Sequence, residues 1–93
     1  MPMQQLIYIN QGRGGTVIYK DEISEIKFDF EFGGGNCVAI IFTPTSGVWE
    51  YSTKRKLAER NAILQFVAEQ SLRDQVSNGY YEVYDNYIEL YRK

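Results

Sequence analysis

The chain has 93 residues, 44% hydrophobic and 24% charged, which is the balance of an ordinary globular protein with material for one core. It has no histidine and one cysteine, which excludes the commonest general base, the commonest zinc ligand and an internal disulfide together. A net charge of −2 supplies no overall field for nucleic acid or an anionic membrane, and a 15% aromatic share that includes eight tyrosines leans towards strands.

The opening Met1-Pro2-Met3-Gln4-Gln5 lacks a basic segment, and the apolar run after it covers only residues 6–9. This reads as neither a signal peptide nor a membrane span, so a cytoplasmic single domain over residues 1–93 is expected. Residues 5–9 and 16–20 read as two strands around Gly12-Arg13-Gly14-Gly15, where glycines supply the positive φ of a hairpin turn. Over residues 23–32, Ile26, Phe28, Phe30 and Phe32 alternate with Glu25, Lys27, Asp29 and Glu31, the pattern of a strand with one buried and one wet face. Gly33-Gly34-Gly35-Asn36 ends it. Residues 37–43 form an uncharged apolar run suited to a central strand, and residues 48–52 read as a fifth strand with Trp49 and Tyr51 on one side.

Residues 54–76 contain no Gly or Pro and are rich in helix formers. Leu57, Ile63, Leu64, Val67, Ala68 and Leu72 make the apolar stripe, with Asn61 inside it as a buried side chain bonding to the sheet. Ser52 or Thr53 is placed to cap the start, and Asn78-Gly79 to supply a left-handed stop. Residues 80–84 and 87–92 then form a hairpin around Asp85-Asn86. The expected fold is α+β: a mainly antiparallel sheet in the order β-β-β-β-β-α-β-β, with one long helix packed on a sheet face.

A two-residue loop at Asp85-Asn86 sets Tyr84 opposite Tyr87, Glu82 opposite Glu89 and Tyr80 opposite Tyr91, all on one face. Like charges directly opposite each other are unfavourable, and a cation held between aromatic rings would relieve them. The plainer expectation is that Lys20 or Arg92 neutralises the pair internally. A second candidate is Lys54-Arg55-Lys56 with Arg60, placed at the start of the helix, where free N–H groups and basic side chains together suit an anion. The plainer expectation is a solvated, slightly costly helix start partly offset by an Arg55–Glu59 pair at i,i+4. Phe66 points away from the stripe on a helical wheel, where it would either seed docking or a dimer contact, be covered by the hairpin or a loop, or stand as a lone exposed apolar residue.

Neither glycine cluster links a strand to a helix start with the Lys-Ser/Thr ending of a phosphate loop, and Cys37 has no imidazole to activate it. No catalytic residue, metal site or cofactor is expected. The composition points to a small protein-interaction module, a regulator, inhibitor or assembly subunit, with a protein partner or a second copy as its target. The alternative is an anion or nucleic-acid binder working through the basic helix start; nucleic acid is disfavoured because Glu82 and Glu89 repel phosphates, and no membrane partner is expected.

Overall fold

The alternation of Ile26, Phe28 and Phe30 with charged neighbours carries directly into three dimensions. In the computed structural model, which describes residues 3–93, these three side chains are buried and the residues between them are exposed. They belong to β3 (Glu25–Phe32), which pairs on one side with β2 (Gly14–Lys20) and, through that strand, with β1 (Gln5–Gln11). On its other side β3 pairs with β4 (Cys37–Phe42). β5 (Gly79–Val83) and β6 (Tyr87–Arg92) complete one antiparallel six-stranded sheet in the order β1-β2-β3-β4-β6-β5. Two helices, α1 (Trp49–Thr53) and α2 (Arg60–Gln75), occupy the connection from β4 to β5. The expected class is therefore found, a mainly antiparallel α+β fold with one long helix on the sheet.

The core lies between the sheet and α2. Val17, Tyr19, Phe28, Ile41, Ile88 and Leu90 meet Ile63, Leu64, Val67 and Ala68 of the helix. Ser71 completes the buried stripe, and its hydroxyl is satisfied by donation to the Val67 carbonyl at 2.6 Å. Both flanks of α2 are tied down by tyrosines: Tyr8 donates to Asp74 at 2.6 Å and Tyr81 to Glu69 at 3.3 Å. Leu57, expected in the stripe, is exposed, and so is Asn61.

The turns also depart from expectation. β2 begins at Gly14 and not after the glycines, so only Gly12-Arg13 turns the chain, with Gly12 at φ +68° in the first central position. Gly14 and Gly79 are strand residues required by close packing, since a Cβ would lie 2.2 Å from the Phe30 carbonyl oxygen in one case and 2.0 Å from that of Tyr91 in the other. Gly79 is thus no helix stop; α2 ends when Val76 turns extended while its N–H still bonds to Leu72.

The expected fifth strand over residues 48–52 is a correction. Residues Ser46–Val48 form a 3-10 turn that runs into α1. Trp49 is fully buried while Tyr51 is 81% exposed, so the two cannot share one side as a strand would require. The Trp49 indole donates to the Lys56 carbonyl at 3.1 Å, and Thr53 donates back to the Trp49 carbonyl at 2.7 Å, closing a helical turn around the buried ring.

The helix expected over residues 54–76 is broken at its start for an electrostatic reason. Lys54 adopts the left-handed conformation (φ +62°) and Lys56 is extended, with α2 beginning only after a 3-10 turn at Leu57–Glu59. A non-glycine residue in the left-handed region costs roughly 1–2 kcal/mol. The break carries Arg55, 7% exposed, into a network with Asp21 at 3.0 Å and Glu59 at 2.9 Å. Asp21 also accepts from the backbone N–H groups of Ile23 and Ser24, closing the β2–β3 turn, and from the Tyr19 hydroxyl. Burial opposes ionisation of Asp21, but the Arg55 guanidinium and these N–H donors outweigh it and hold its carboxyl well below the usual carboxylate range.

A depressed folded pKa means that this carboxylate's stabilisation is complete above the unfolded value, about 3.9, and is lost as pH falls through the folded value. Asp21→Asn is expected to cost about 3 kcal/mol at neutral pH, since it strips a buried guanidinium of one partner. Urea unfolding of wild type and variant at a series of pH values checks this: the gap between them is constant above the unfolded carboxylate value and narrows as the solution is acidified below it.

Candidate functional site

The sheet face opposite α2 has no helix on it, and the pairing registers place its side chains in rows across the strands. Opposite partners in the β5–β6 hairpin are Tyr80 and Tyr91, Glu82 and Glu89, and Val83 and Ile88. The Tyr84 N–H donates to the Tyr87 carbonyl at 2.8 Å, which closes the two-residue loop at Asp85-Asn86 as the sequence indicates. Tyr80 and Tyr91 stack with ring centroids 4.9 Å apart, and Tyr84 and Tyr87 stack at 4.6 Å. The two carboxylates sit between these stacked pairs.

Neither carboxylate forms a salt bridge among the described residues. Among the described residues, no lysine or arginine nitrogen lies within 4.0 Å of Glu82 or Glu89, and Lys20 instead faces Glu25 at 3.9 Å. Tyrosine hydroxyls take the cation's place. Tyr84, just past the end of β5, donates to Glu82, and Tyr91 lies two residues beyond Glu89 on β6, near enough for that carboxylate to act on its phenol. Hydrogen bonding to Glu82 pushes the Tyr84 phenol up to about 12, and Glu89 raises that of Tyr91 in the same way. Such bonds orient the carboxylates and share their charge, but they add no positive charge.

The strand order extends the patch beyond the residues that sequence singled out. β4 lies between β3 and β6, so Glu31, Ile40, Glu89 and Glu82 form one row across four strands. In the neighbouring row Phe42, 41% exposed, stands opposite Tyr87. Asp29, one residue before the Phe30–Ile41 pair, falls beside Phe42 on the same face. The result is an acidic and aromatic surface, with Tyr80, Phe42 and Tyr84 all about two-fifths exposed. Sequence patterning did put Asp29 and Glu31 on a wet face. Their place next to the hairpin depends on a strand order that spacing does not encode. The repeated Glu-x-Tyr of residues 82–84 and 89–91 was the available local signal.

The basic group does not form the expected site. Lys54, Arg55 and Lys56 precede α2 and do not occupy its first turn, and Arg55 is consumed by Asp21 and Glu59. Arg60 reaches the backbone carbonyls of Pro44 and Asp85, at 3.2 and 2.6 Å. Lys54 lies over the Tyr51 ring at 4.9 Å. Carboxylates already occupy the amides near the helix start: Glu50 accepts from Leu57 N–H at 2.9 Å and Glu59 from Lys56 N–H at 3.2 Å. An anion meets acids there instead of free donors.

Phe66 is also placed differently. It is half-buried against the core, edge-on to Tyr19 with ring centroids 5.8 Å apart, because the flank of α2 above β2 touches the sheet as well as its central stripe. Cys37 is half-buried, and its thiol, donating to the Ala39 carbonyl, is raised by burial and by Glu89, which disfavours the reactive thiolate.

The Tyr–Glu coupling has a spectroscopic consequence. Replacing Glu82 by Gln is expected to bring the Tyr84 phenol back from about 12 towards its ordinary 10.0, followed by NMR of ring-labelled tyrosine through an alkaline titration. An unmoved Tyr84 transition means that the hydroxyl is not held by Glu82.

No family model matches the chain, and comparison with curated proteins and with solved structures likewise finds no match.

Proposed function

We propose that this chain is a non-catalytic protein-interaction module, a regulator, inhibitor or assembly subunit, whose open sheet face receives a lysine or arginine side chain of a partner protein. One observation carries the reading: Glu82 and Glu89 stand directly opposite each other, between two stacked tyrosine pairs, and among the described residues no cation pairs with either. Like charges in register are unfavourable in a sheet, so a guest cation gains both the pair's electrostatic attraction and the faces or edges of nearby rings. Glu31 in the same row and Asp29 in the next enlarge the negative area and favour a partner with more than one basic residue. The same acids repel a phosphate backbone, and the amides that would serve an anion near α2 are engaged by Glu50 and Glu59. The anion and nucleic-acid alternative therefore has no geometry in its favour.

Among the described residues no helix is long and apolar enough to cross a membrane. A role in the cytoplasm against a protein partner is the setting we propose.

A short arginine-containing peptide, titrated into isotope-labelled protein at fixed ionic strength, is expected to shift the amides of Tyr80, Glu82, Tyr84, Tyr87, Glu89 and Tyr91 ahead of the rest. Glu82→Gln with Glu89→Gln is expected to weaken binding at least about tenfold, on the order of 1.4 kcal/mol, without lowering the melting temperature. Tyr84→Ala with Tyr87→Ala weakens it as well. A matched glutamate-containing peptide that shifts the same amides equally, or a double Gln variant that binds undiminished, rules the reading out.

A further inference from the structure

The two edges of the sheet are not alike. β5 is short, five residues, carries Glu82 and borders the acidic row, so pairing two copies along it would bring two negative surfaces together. β1 is seven residues long and contains no charge, no proline and no bulge. It also exposes apolar side chains on the face away from α2, with Ile7 41% and Ile9 43% exposed. Edge strands are ordinarily protected by charge, proline, bulges or shortness, and β1 has none of these.

The sequence of β1, Gln5-Leu6-Ile7-Tyr8-Ile9-Asn10-Gln11, reads almost the same in both directions about Tyr8. A two-fold axis makes each residue meet its mirror position, so a strand pairing with its own copy needs this kind of self-complementarity. With the axis at Tyr8, an antiparallel partner places Ile7 opposite Ile9 of the second copy, and Ile9 opposite its Ile7. Gln5 meets Gln11, and four isoleucines close into one apolar strip beside the largely buried Ile18, the β2 partner of Ile7. No like charges face each other, in a chain whose net charge is −2.

The backbone agrees with that register. Gln11 and Gly14 flank the two-residue turn and form its hydrogen-bonded pair, so Ile9, Ile7 and Gln5 also aim their backbone groups at β2. Alternation leaves the N–H and C=O groups of Leu6, Tyr8 and Asn10 pointing outward. An axis at Tyr8 pairs Leu6 with Asn10 and Tyr8 with its own counterpart, making about six new backbone hydrogen bonds.

We infer that the chain self-associates as a two-fold dimer through antiparallel pairing of β1 with β1 of a second copy, centred on Tyr8 and joining two sheets into one. This inference is independent of the Tyr–Glu hairpin, which lies at the opposite end of the sheet. A seven-residue strand runs roughly 23 Å, and one strand's width along that length falls short of the roughly 800 Å² per partner of a standard stable interface. The dimer is therefore a reversible, concentration-dependent one.

Sedimentation equilibrium of the full chain from roughly 10 µM to 1 mM, a range bracketing dissociation constants of that class, tests it. Wild type is expected to shift from monomer to dimer. Ile7→Lys and Ile9→Glu, each alone, are expected to weaken the dimer at least about tenfold. An equimolar mixture of the two restores it, because the register sets the introduced opposite charges against each other. Ile7→Thr and Ile9→Thr, which retain strand propensity, serve in place of either charged variant that lowers the melting temperature, with loss of dimer as the readout. A wild type monomeric throughout the range, variants that dimerise as well as wild type, or a charged mixture that stays monomeric each overturns the inference. The first outcome also leaves the edge open only to a foreign strand, which is a different proposal.

Discussion

The burial of one guanidinium organises much of this fold. Arg55 sits between the β2–β3 turn and the segment leading into α2, and its partner Asp21 is 34 residues away in sequence. To reach Asp21 the chain has to stop being helical after Thr53, pass through a left-handed Lys54 and an extended Lys56, and start again. That break lets α1 turn independently of α2 and bury Trp49, with the Lys56 carbonyl available to its indole. Asp21 in turn holds the N–H groups of Ile23 and Ser24 and the hydroxyl of Tyr19, whose ring supports Phe66. A buried ion pair is a weak source of net stability, because desolvation offsets most of its attraction. Its value here is that it selects one entry geometry for the helix over an uninterrupted run.

The same network affects the surface by the way it uses cations. The chain has ten lysines and arginines against twelve acids. Arg55 and Arg60 are drawn into the junction between loops and helix, Arg73 pairs with Glu69 on α2, and Lys20 pairs with Glu25. At the β5–β6 hairpin Arg60 serves Asp85 in the loop, and among the described residues no cation pairs with Glu82 or Glu89; the Tyr84 hydroxyl bonds to Glu82 instead. Seven of the eight tyrosines are divided by strand parity, Tyr51 of α1 being the exception. Tyr8, Tyr19 and Tyr81 face the helix side and bond to carboxylates there, whereas Tyr80, Tyr84, Tyr87 and Tyr91 face outward. Tyr80 and Tyr81 are adjacent in sequence and serve opposite faces.

What could be read from the sequence was whatever depended on local period. The alternation in β3 indicates Ile26, Phe28 and Phe30 as buried, and the two-residue loop at Asp85-Asn86 sets the hairpin register. Phe32 at the end of β3 and Val83 at the end of β5, both expected on the core side, are exposed because they lie at the strand ends. Residues 48–52 could not be read, because Trp49 and Tyr51 two apart imitate a strand while the deciding contact is to Lys56. The helix start was obscured by good helix formers whose conformation is overruled by a tertiary charge pair. Phe66 was misplaced by assuming a narrow contact stripe, when α2 touches the sheet with its flank as well. In the candidate site, the hairpin members were legible. Glu31, Asp29 and Phe42 join them only through strand order, which is decided by where the helical crossover returns the chain.

That crossover also explains why the two ends of the sheet differ. α2 leaves the region of β4 and delivers β5 to the outside edge, and β6 then folds back between β5 and β4. The acidic residues of β3, β6 and β5 thereby gather towards one end, and the rows on that side acquire charge that discourages pairing along β5. β1 enters before any of this and pairs only with β2, so nothing in the topology places a charged residue on it. Its protection would have to come from its own sequence, and Ile7, Tyr8 and Ile9 provide none. A sheet built in this order thus has an acidic, aromatic hairpin at one end and an uncharged, partly exposed apolar edge strand at the other.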